Sequence, residues 1–309
     1  MAVFGMRMKK PKIIVIGGPT SSGKTDLSIT LAKAVGGEVV SSDSRQVYRG
    51  LSIGTGKVKK REMRGIPHHL LDVADPKKQY SASDFANAAR AAIADIARRG
   101  YVPIVVGGTG FYIDTLLGSV SLPDVPPDAA LRKKIGGKSL AWLQSRLKKI
   151  DPKRFRTVDK KNKVRLIRSI EIAEALGAMP SPKSATAYEA LYFGVHVPMT
   201  DLKKKIRTRL ITRMQEGMLR EVRNLRSKGL SWKRMHELGL EYRYCALHLR
   251  GKLSKEDLIE ILDKEIFRYA KHQMTWFKRN KNILWISPKD TARVIRESKR
   301  FLGLPKFGV

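Results

Sequence analysis

Acidic residues are few in this chain. Only 28 Asp and Glu stand against 62 Lys and Arg in 309 residues, a formal charge of +34. A field of that sign attracts polyanions, and few enzymes of small molecules need one; nucleic acid is the partner that matches best, although a basic proteome or a solubility adaptation would leave the same imbalance. Cysteine is scarcer still. Cys245 stands alone, which excludes an internal disulfide and makes a reducing compartment, the cytoplasm, the natural home. The same scarcity speaks against a zinc site, and the adjacent His68 and His69 have the wrong spacing for metal ligands. Those two histidines read instead as packing and hydrogen-bonding residues at the end of a strand-like segment. No run of about 18 apolar residues is present, so no membrane span is expected. The first dozen residues carry Lys9, Lys10 and Lys12 ahead of any apolar stretch and lack the shape of a secretory signal. There is neither an internal repeat nor a low-complexity tract. A soluble chain is expected, with 42% hydrophobic content enough for one large core and one smaller one.

What the sequence does hold begins with Gly18-Pro19-Thr20-Ser21-Ser22-Gly23-Lys24-Thr25, which follows the apolar run Ile13-Ile14-Val15-Ile16. This is the pattern of a phosphate-binding loop. Glycines let the backbone curl with its N–H groups inward, the following helix turns its positive end to the pocket, Lys24 adds a mobile cation, and Thr25 can ligate Mg²⁺. A ligand with at least two linked phosphates is implied, against the plainer alternative of a Gly/Ser-rich turn. The loop alone does not say which diphosphate or triphosphate it holds.

Downstream, Leu27, Leu31 and Ala34 have helical spacing and stop at Gly36-Gly37. A strand at Val39-Val40 runs into Ser41-Ser42-Asp43-Ser44-Arg45-Gln46. Ser81 and Asp84 form a capping box for a helix whose buried face is Phe85, Ala88, Ala89, Ala92, Ile93 and Ile96. Val102 to Val106 is a further strand, leading to Gly107-Gly108-Thr109-Gly110. Strands alternating with helices predict a parallel sheet covered on both faces, with ligands at the carboxyl ends of the strands. From Pro123 to Pro127 the chain becomes a proline-rich linker, and up to Pro180-Ser181-Pro182 it turns helical and basic; Arg146 to Arg168 holds eleven basic and two acidic residues in twenty-three positions. Such a run is either a solvated face or a grip on a phosphate backbone. The sheet resumes at Leu191 to Val197. A basic helix starts near Asp201, with Lys205 and Arg209 on one face; another follows the Ser254/Asp257 capping box to about Phe277, and Ile283 to Ile286 is a last strand before a helix from Asp290. The division reads as 1–122 and 191–309 for an α/β core and 123–190 for an inserted basic helical domain.

Asp43 lies one strand from the phosphate loop. A carboxylate there could coordinate Mg²⁺, accept a proton from a substrate, or cap a turn. Gln46 offers a donor and an acceptor, as a base edge requires. Trp276-Phe277 reads as core packing, with base stacking as the alternative.

Taken together the chain resembles the tRNA dimethylallyltransferases, also called tRNA isopentenyltransferases, of bacterial type. The resemblance rests on the phosphate loop, Ser42 to Tyr48, Ile53-Gly54-Thr55-Gly56-Lys57, Pro67-His68-His69-Leu70-Leu71-Asp72, Tyr80 to Phe85, Gly107-Gly108-Thr109-Gly110-Phe111-Tyr112 and Gln273-Met274-Thr275-Trp276-Phe277. It implies a P-loop NTPase-like parallel sheet flanked by helices, with the basic helical insertion as the tRNA-binding part. It also implies transfer of a dimethylallyl group from dimethylallyl diphosphate to N6 of the adenosine 3′-adjacent to the anticodon. Carried over, Gly18 to Thr25 with Mg²⁺ at Thr25 would hold the diphosphate, and Arg209, with Lys205, would neutralise the departing pyrophosphate. Asp43 would take the N6 proton. Ser44, Arg45, Gln46, Gly108, Thr109 and Gly110 would surround the swung-out base, and Arg132, Arg165, Arg168, Tyr242 and Arg243 would meet the tRNA. The chain departs from the family pattern at Glu241 and Lys205. A monomer, with one tRNA filling the cleft, is expected. An adenylate isopentenyltransferase acting on free AMP or ATP, a small-molecule kinase and a non-enzymatic RNA chaperone are the other readings; the first needs no large basic surface, and the last must explain why Lys24, Thr25 and Asp43 are intact.

Overall fold

The computed structural model describes residues 10–120, 122–123, 125–178 and 187–305. They fall into two compact units, one of residues 1–117 with 186–309 and one of residues 118–185.

The first unit opens with β1 (Lys12–Gly17), α1 (Lys24–Val35), β2 (Gly37–Ser41), the short α2 (Lys60–Met63), β3 (His68–His69), α3 (Ala82–Arg98), β4 (Val102–Gly107) and α4 (Gly110–Leu117). All six strands of its sheet run parallel in the order β3-β2-β4-β1-β5-β6. A parallel sheet needs both faces covered, and alternate residues of each strand serve the two faces. Ile14 and Ile16 face one core layer with Val39, Ile104 and Phe193. Ile13 and Val15 face the other with Val40, Val105 and the α3 residues Phe85, Ala89 and Ile93. The four isoleucine and valine side chains of β1 are 0% exposed, which is why the strand reads as an unbroken apolar run. Local chain chemistry sets the helix ends. Gly36 caps α1 in the left-handed conformation, and Ser81 and Asp84 close the expected capping box on α3.

The second unit holds α5 (Ala129–Gly136), α6 (Leu140–Ile150), α7 (Pro152–Thr157) and α8 (Lys163–Leu176). Each begins at a side chain that accepts from the backbone N–H three residues on: Asp128, Ser139, Asp151 and Asn162. Ile135, Leu143, Leu147, Val158, Leu166 and Ile170 form its own core. This unit starts earlier than the expected 123–190, because α4 ends at Leu117, and it ends earlier, because Tyr188 packs in the core of the first unit and the next strand already starts at Glu189. Pro180-Ser181-Pro182 lies outside the described residues.

The first unit resumes with β5 (Glu189–Val195), α9 (Met199–Gln215), α10 (Met218–Ser227), α11 (Trp232–Leu238), α12 (Leu240–Leu249), α13 (Lys255–Phe277), β6 (Leu284–Ile286) and α14 (Thr291–Leu302). Ser254 caps α13 by accepting from the Asp257 N–H. Among the described residues no helix is long and apolar enough to cross a membrane.

Candidate active site

The carboxyl ends of β1, β2 and β4 deliver three loops to one cavity of about 400 Å³ in the first unit. The phosphate loop contributes Thr20, Ser21, Lys24 and Thr25, the turn after β2 contributes Asp43 to Gln46, and the end of β4 contributes Gly107 and Gly108. The loops fit because one residue has no side chain: a Cβ on Gly107 would stand 1.9 Å from the Ser42 carbonyl oxygen. The loops are also tied from outside. Gln273 on α13 accepts from the Thr20 N–H at 2.9 Å and donates to the Gly108 carbonyl at 2.9 Å, so one carboxamide sets the spacing between phosphate loop and β4 loop.

Lys24 dominates the electrostatics. Its Nζ donates to the Pro19 carbonyl at 2.6 Å and approaches Ser22 Oγ at 3.5 Å. Burial lowers its pKa to about 7, against the opposing pull of Asp43, and Arg209 lowers it further. Arg209 enters from α9. Its own pKa is lowered, first by burial and then by Arg213, although the residue taken whole is exposed. Two cations that protein and each other both disfavour make a strong attractor for an anion. Thr25 lines the cavity beside them, and the described residues hold no cluster of three or more His, Cys, Asp or Glu. The Thr25 hydroxyl is a donor of the type that magnesium takes in such loops, where substrate phosphates and water complete its shell.

Asp43 does two things at once. Oδ1 accepts from the N–H groups of Arg45 and Gln46 at 2.8 and 3.2 Å, so the turn-capping role is real, while Oδ2 takes no partner among the described residues and is available to the cavity. Ser44 N–H donates to Thr109 Oγ1 at 3.1 Å. Gln46 Nε2 reaches toward the Thr55 and Gly56 carbonyls at 3.5 Å, and Arg45 and Arg243 also line the cavity.

Several expected residues go elsewhere. Lys205 is exposed on α9 and is not among the residues that line the cavity. Tyr242 borders the cavity but is 1% exposed, its hydroxyl donating to Glu221 Oε1 at 2.8 Å, so most of its ring is held inside the core. Gly110 starts α4 and is covered by Trp276, which donates to Asp114 at 2.8 Å. In the helical unit Arg132 and Arg168 both close on Glu171, which is 0% exposed. Burial alone would raise the Glu171 pKa, but the two guanidiniums win and hold it down. Arg165 stays 59% exposed, with Asp159 at 3.6 Å.

Other residues take places that the sequence did not give them, although both histidines keep the hydrogen-bonding role expected of them. Arg213 bonds the Gly54 carbonyl at 2.5 Å and Glu241 at 2.9 Å, which gives Glu241 its place. His68 lines the cavity; its Nδ1 donates to the Ile66 carbonyl at 2.9 Å, its buried Nε2 has no partner, and burial lowers its pKa. His69 bonds Glu38 at 2.7 Å. Tyr269 lines the cavity too, its pKa pushed up by burial to about 12.

A parallel sheet with this loop after its first strand, and a carboxylate and cations gathered over it, defines a phosphate-loop α/β enzyme. Comparison with known proteins narrows the class. The model of the IPP transferase family matches residues 46–280 and that of isopentenyl transferases residues 11–79. The chain is 40% identical over 276 residues to tRNA dimethylallyltransferase 2 of Treponema denticola, spanning 87% of this chain and 92% of that one. It superposes on the tRNA isopentenylpyrophosphate transferase of Bacillus halodurans with a TM-score of 0.71 at 33% identity, covering 95% and 96% of the two chains. A eukaryotic dimethylallyltransferase acting on tRNA gives a TM-score of 0.82 at 26% identity over 96% of this chain and 81% of that one. The protein belongs to the tRNA dimethylallyltransferase family.

Proposed function

We propose that this protein transfers a dimethylallyl group from dimethylallyl diphosphate to N6 of the adenosine 3′-adjacent to the anticodon of a tRNA. The observation that carries the reading is the meeting of Lys24, Thr25, Asp43 and Arg209 around one cavity. N6 attacks the allylic carbon bearing the diphosphate, the carbon–oxygen bond breaks, and its electron pair leaves with pyrophosphate. Lys24 and the inward N–H groups of Gly18 to Thr25 hold the diphosphate, and Arg209 meets the charge as it grows on the leaving oxygen. A magnesium ion at Thr25 would supply further charge neutralisation there. Asp43 Oδ2 takes the N6 proton, while the two N–H groups on Oδ1 keep the carboxylate aimed.

The adenine must leave its stack to reach this point. Ser44, Arg45, Gln46, Gly108 and Thr109 surround it, and Arg243, which lines the same cavity, meets the tRNA. The charge of +34 favours tRNA over free AMP as acceptor, with exposed Arg165 among the contacts of the helical unit to the anticodon stem-loop. The enzyme acts in the cytoplasm as a monomer.

The test is incubation with radiolabelled dimethylallyl diphosphate, magnesium and either unmodified tRNA or AMP. Label in tRNA alone is expected. Label in AMP would move the protein to the adenylate enzymes, and no label accompanied by ATP hydrolysis would make it a kinase.

A further inference from the structure

The segment that floors the cavity beside Arg209 has no regular structure of its own. Residues 51–59 form neither helix nor strand, so their backbone N–H groups need other acceptors. One carboxylate supplies them. Glu221 on α10 accepts from the N–H of Ser52 at 2.9 Å and of Ile53 at 2.6 Å on Oε2, and from Gly54 at 3.0 Å on Oε1. Its fourth donor is the buried Tyr242 hydroxyl at 2.8 Å. Three successive N–H groups around an anion form a nest, here filled by the protein's own side chain.

The consequence lies at the far side of the same loop. Glu221 is not one of the residues lining the reaction cavity, but Thr55 and Gly56 are. The Arg209 guanidinium lies against Gly56, where a Cβ would stand 3.0 Å from Nη2. The Thr55 and Gly56 carbonyls face the Gln46 carboxamide. Gly54 is pinned between the Tyr242 ring, 2.8 Å from the place of a Cβ, and Arg213, which donates to its carbonyl. The loop therefore has little freedom once its N–H groups are held.

We propose that Glu221 is a positioning residue for prenyl transfer: by clamping residues 52–54 it sets the height of Gly56 and so fixes where the Arg209 guanidinium meets the leaving diphosphate. The inference rests on the reading of Arg209 given above. Glu221→Gln keeps the shape but turns one acceptor oxygen into an NH₂ group facing an N–H or O–H donor. Displacing a charge-stabilising group by a fraction of an ångström costs on the order of tenfold to a hundredfold in rate.

The experiment is a double-mutant cycle of Glu221→Gln and Arg209→Lys, read by steady-state and single-turnover prenyl transfer to tRNA and by filter binding of tRNA. The expected result is a kcat lower by about tenfold to a hundredfold in Glu221→Gln, with KM for tRNA within about twofold, and a much smaller effect of the same substitution in the Arg209→Lys background, since residues acting through one another do not add. An unchanged kcat, or equal effects in both backgrounds, would overturn the proposal; a protein that merely lost stability would not couple selectively to Arg209. If Glu221→Gln does not fold, Tyr242→Phe, which removes one of the four donors, enters the same cycle with the same expectations in direction. A wild-type enzyme that transfers nothing to tRNA would instead overturn the functional reading itself.

Discussion

Arginines of the helical unit and cations of the core cleft are put to opposite uses. Arg132 and Arg168 surround the fully buried Glu171, and the Asp128 N–H completes its shell at 3.1 Å. Their charge is consumed inside the unit. In the cleft Lys24 and Arg209 form no ion pair among the described residues, and burial lowers the pKa of each. Their charge is held in reserve for a ligand. In a chain with so many cations, the type of residue says little about its use; what neutralises it says more.

That contrast can be broken in four places. The largest effect should come from Asp43→Ala, which removes the proton acceptor but none of the cations: transfer should fall by about 10²- to 10⁴-fold, with tRNA affinity by filter binding within a few-fold. Near wild-type turnover would leave Asp43 as a turn cap only.

Lys24→Met comes next. Transfer should drop by about 10²- to 10³-fold, yet the melting temperature near neutral pH should rise on the order of a few degrees, because a buried cation has been replaced by an apolar chain. The sign follows from linkage. Lys24 has a pKa of about 7 folded against 10.5 as its ordinary value, so the unfolded chain holds more protons between those values and stability rises with pH across that window. Lys24→Met should flatten that rise. By the same logic diphosphate binding near pH 7.5 should take up protons, measurable by calorimetry in buffers of different ionisation heat, and should weaken as pH rises.

Glu171→Ala tests the other side. It strips the acceptor from two guanidiniums and one N–H, and should destabilise the helical unit by about 1–3 kcal/mol in urea unfolding. Because the folded Glu171 pKa is held low, its contribution is present above the ordinary carboxylate pKa and lost as pH falls through the folded value. The smallest effect is reserved for Arg165→Ala. It should leave stability unchanged and lower the slope of log affinity against log salt by about one. If Arg132→Ala did the same without loss of stability, the division between consumed and reserved charge would not hold.

Much of the architecture was legible along the chain because it is written locally. The phosphate loop, the apolar β1 run, the Gly36 cap and the Ser81 and Ser254 caps each depend on residues within a few positions of one another. The site was legible only where a motif carried it. Nothing near Gln273 says that it bridges Thr20 and Gly108, more than 160 positions away. Likewise Arg213 finds Glu241, and Glu221 finds Ser52 to Gly54, only once α9, α10 and α12 pack. Tyr242 is a related case: it borders the cavity, but nothing in its place beside Arg243 says that the fold turns its ring onto Gly54. Arg132 looked free for as long as Glu171, across the contact of α5 with α8, was out of view, whereas Arg168 reaches the same carboxylate from three residues earlier on α8 itself.

The state of Lys24 also changes what ordinary reagents see. An amine with a pKa near 7 spends about half its time at neutral pH as a free nucleophile, when common lysines are almost wholly protonated. Mass spectrometry after brief treatment with an acylating reagent small enough to enter the cleft is therefore expected to find Lys24 marked ahead of the surface lysines, and less so with a diphosphate present. With the diphosphate seated there as proposed, the occupancy of the loop can be read at Lys24.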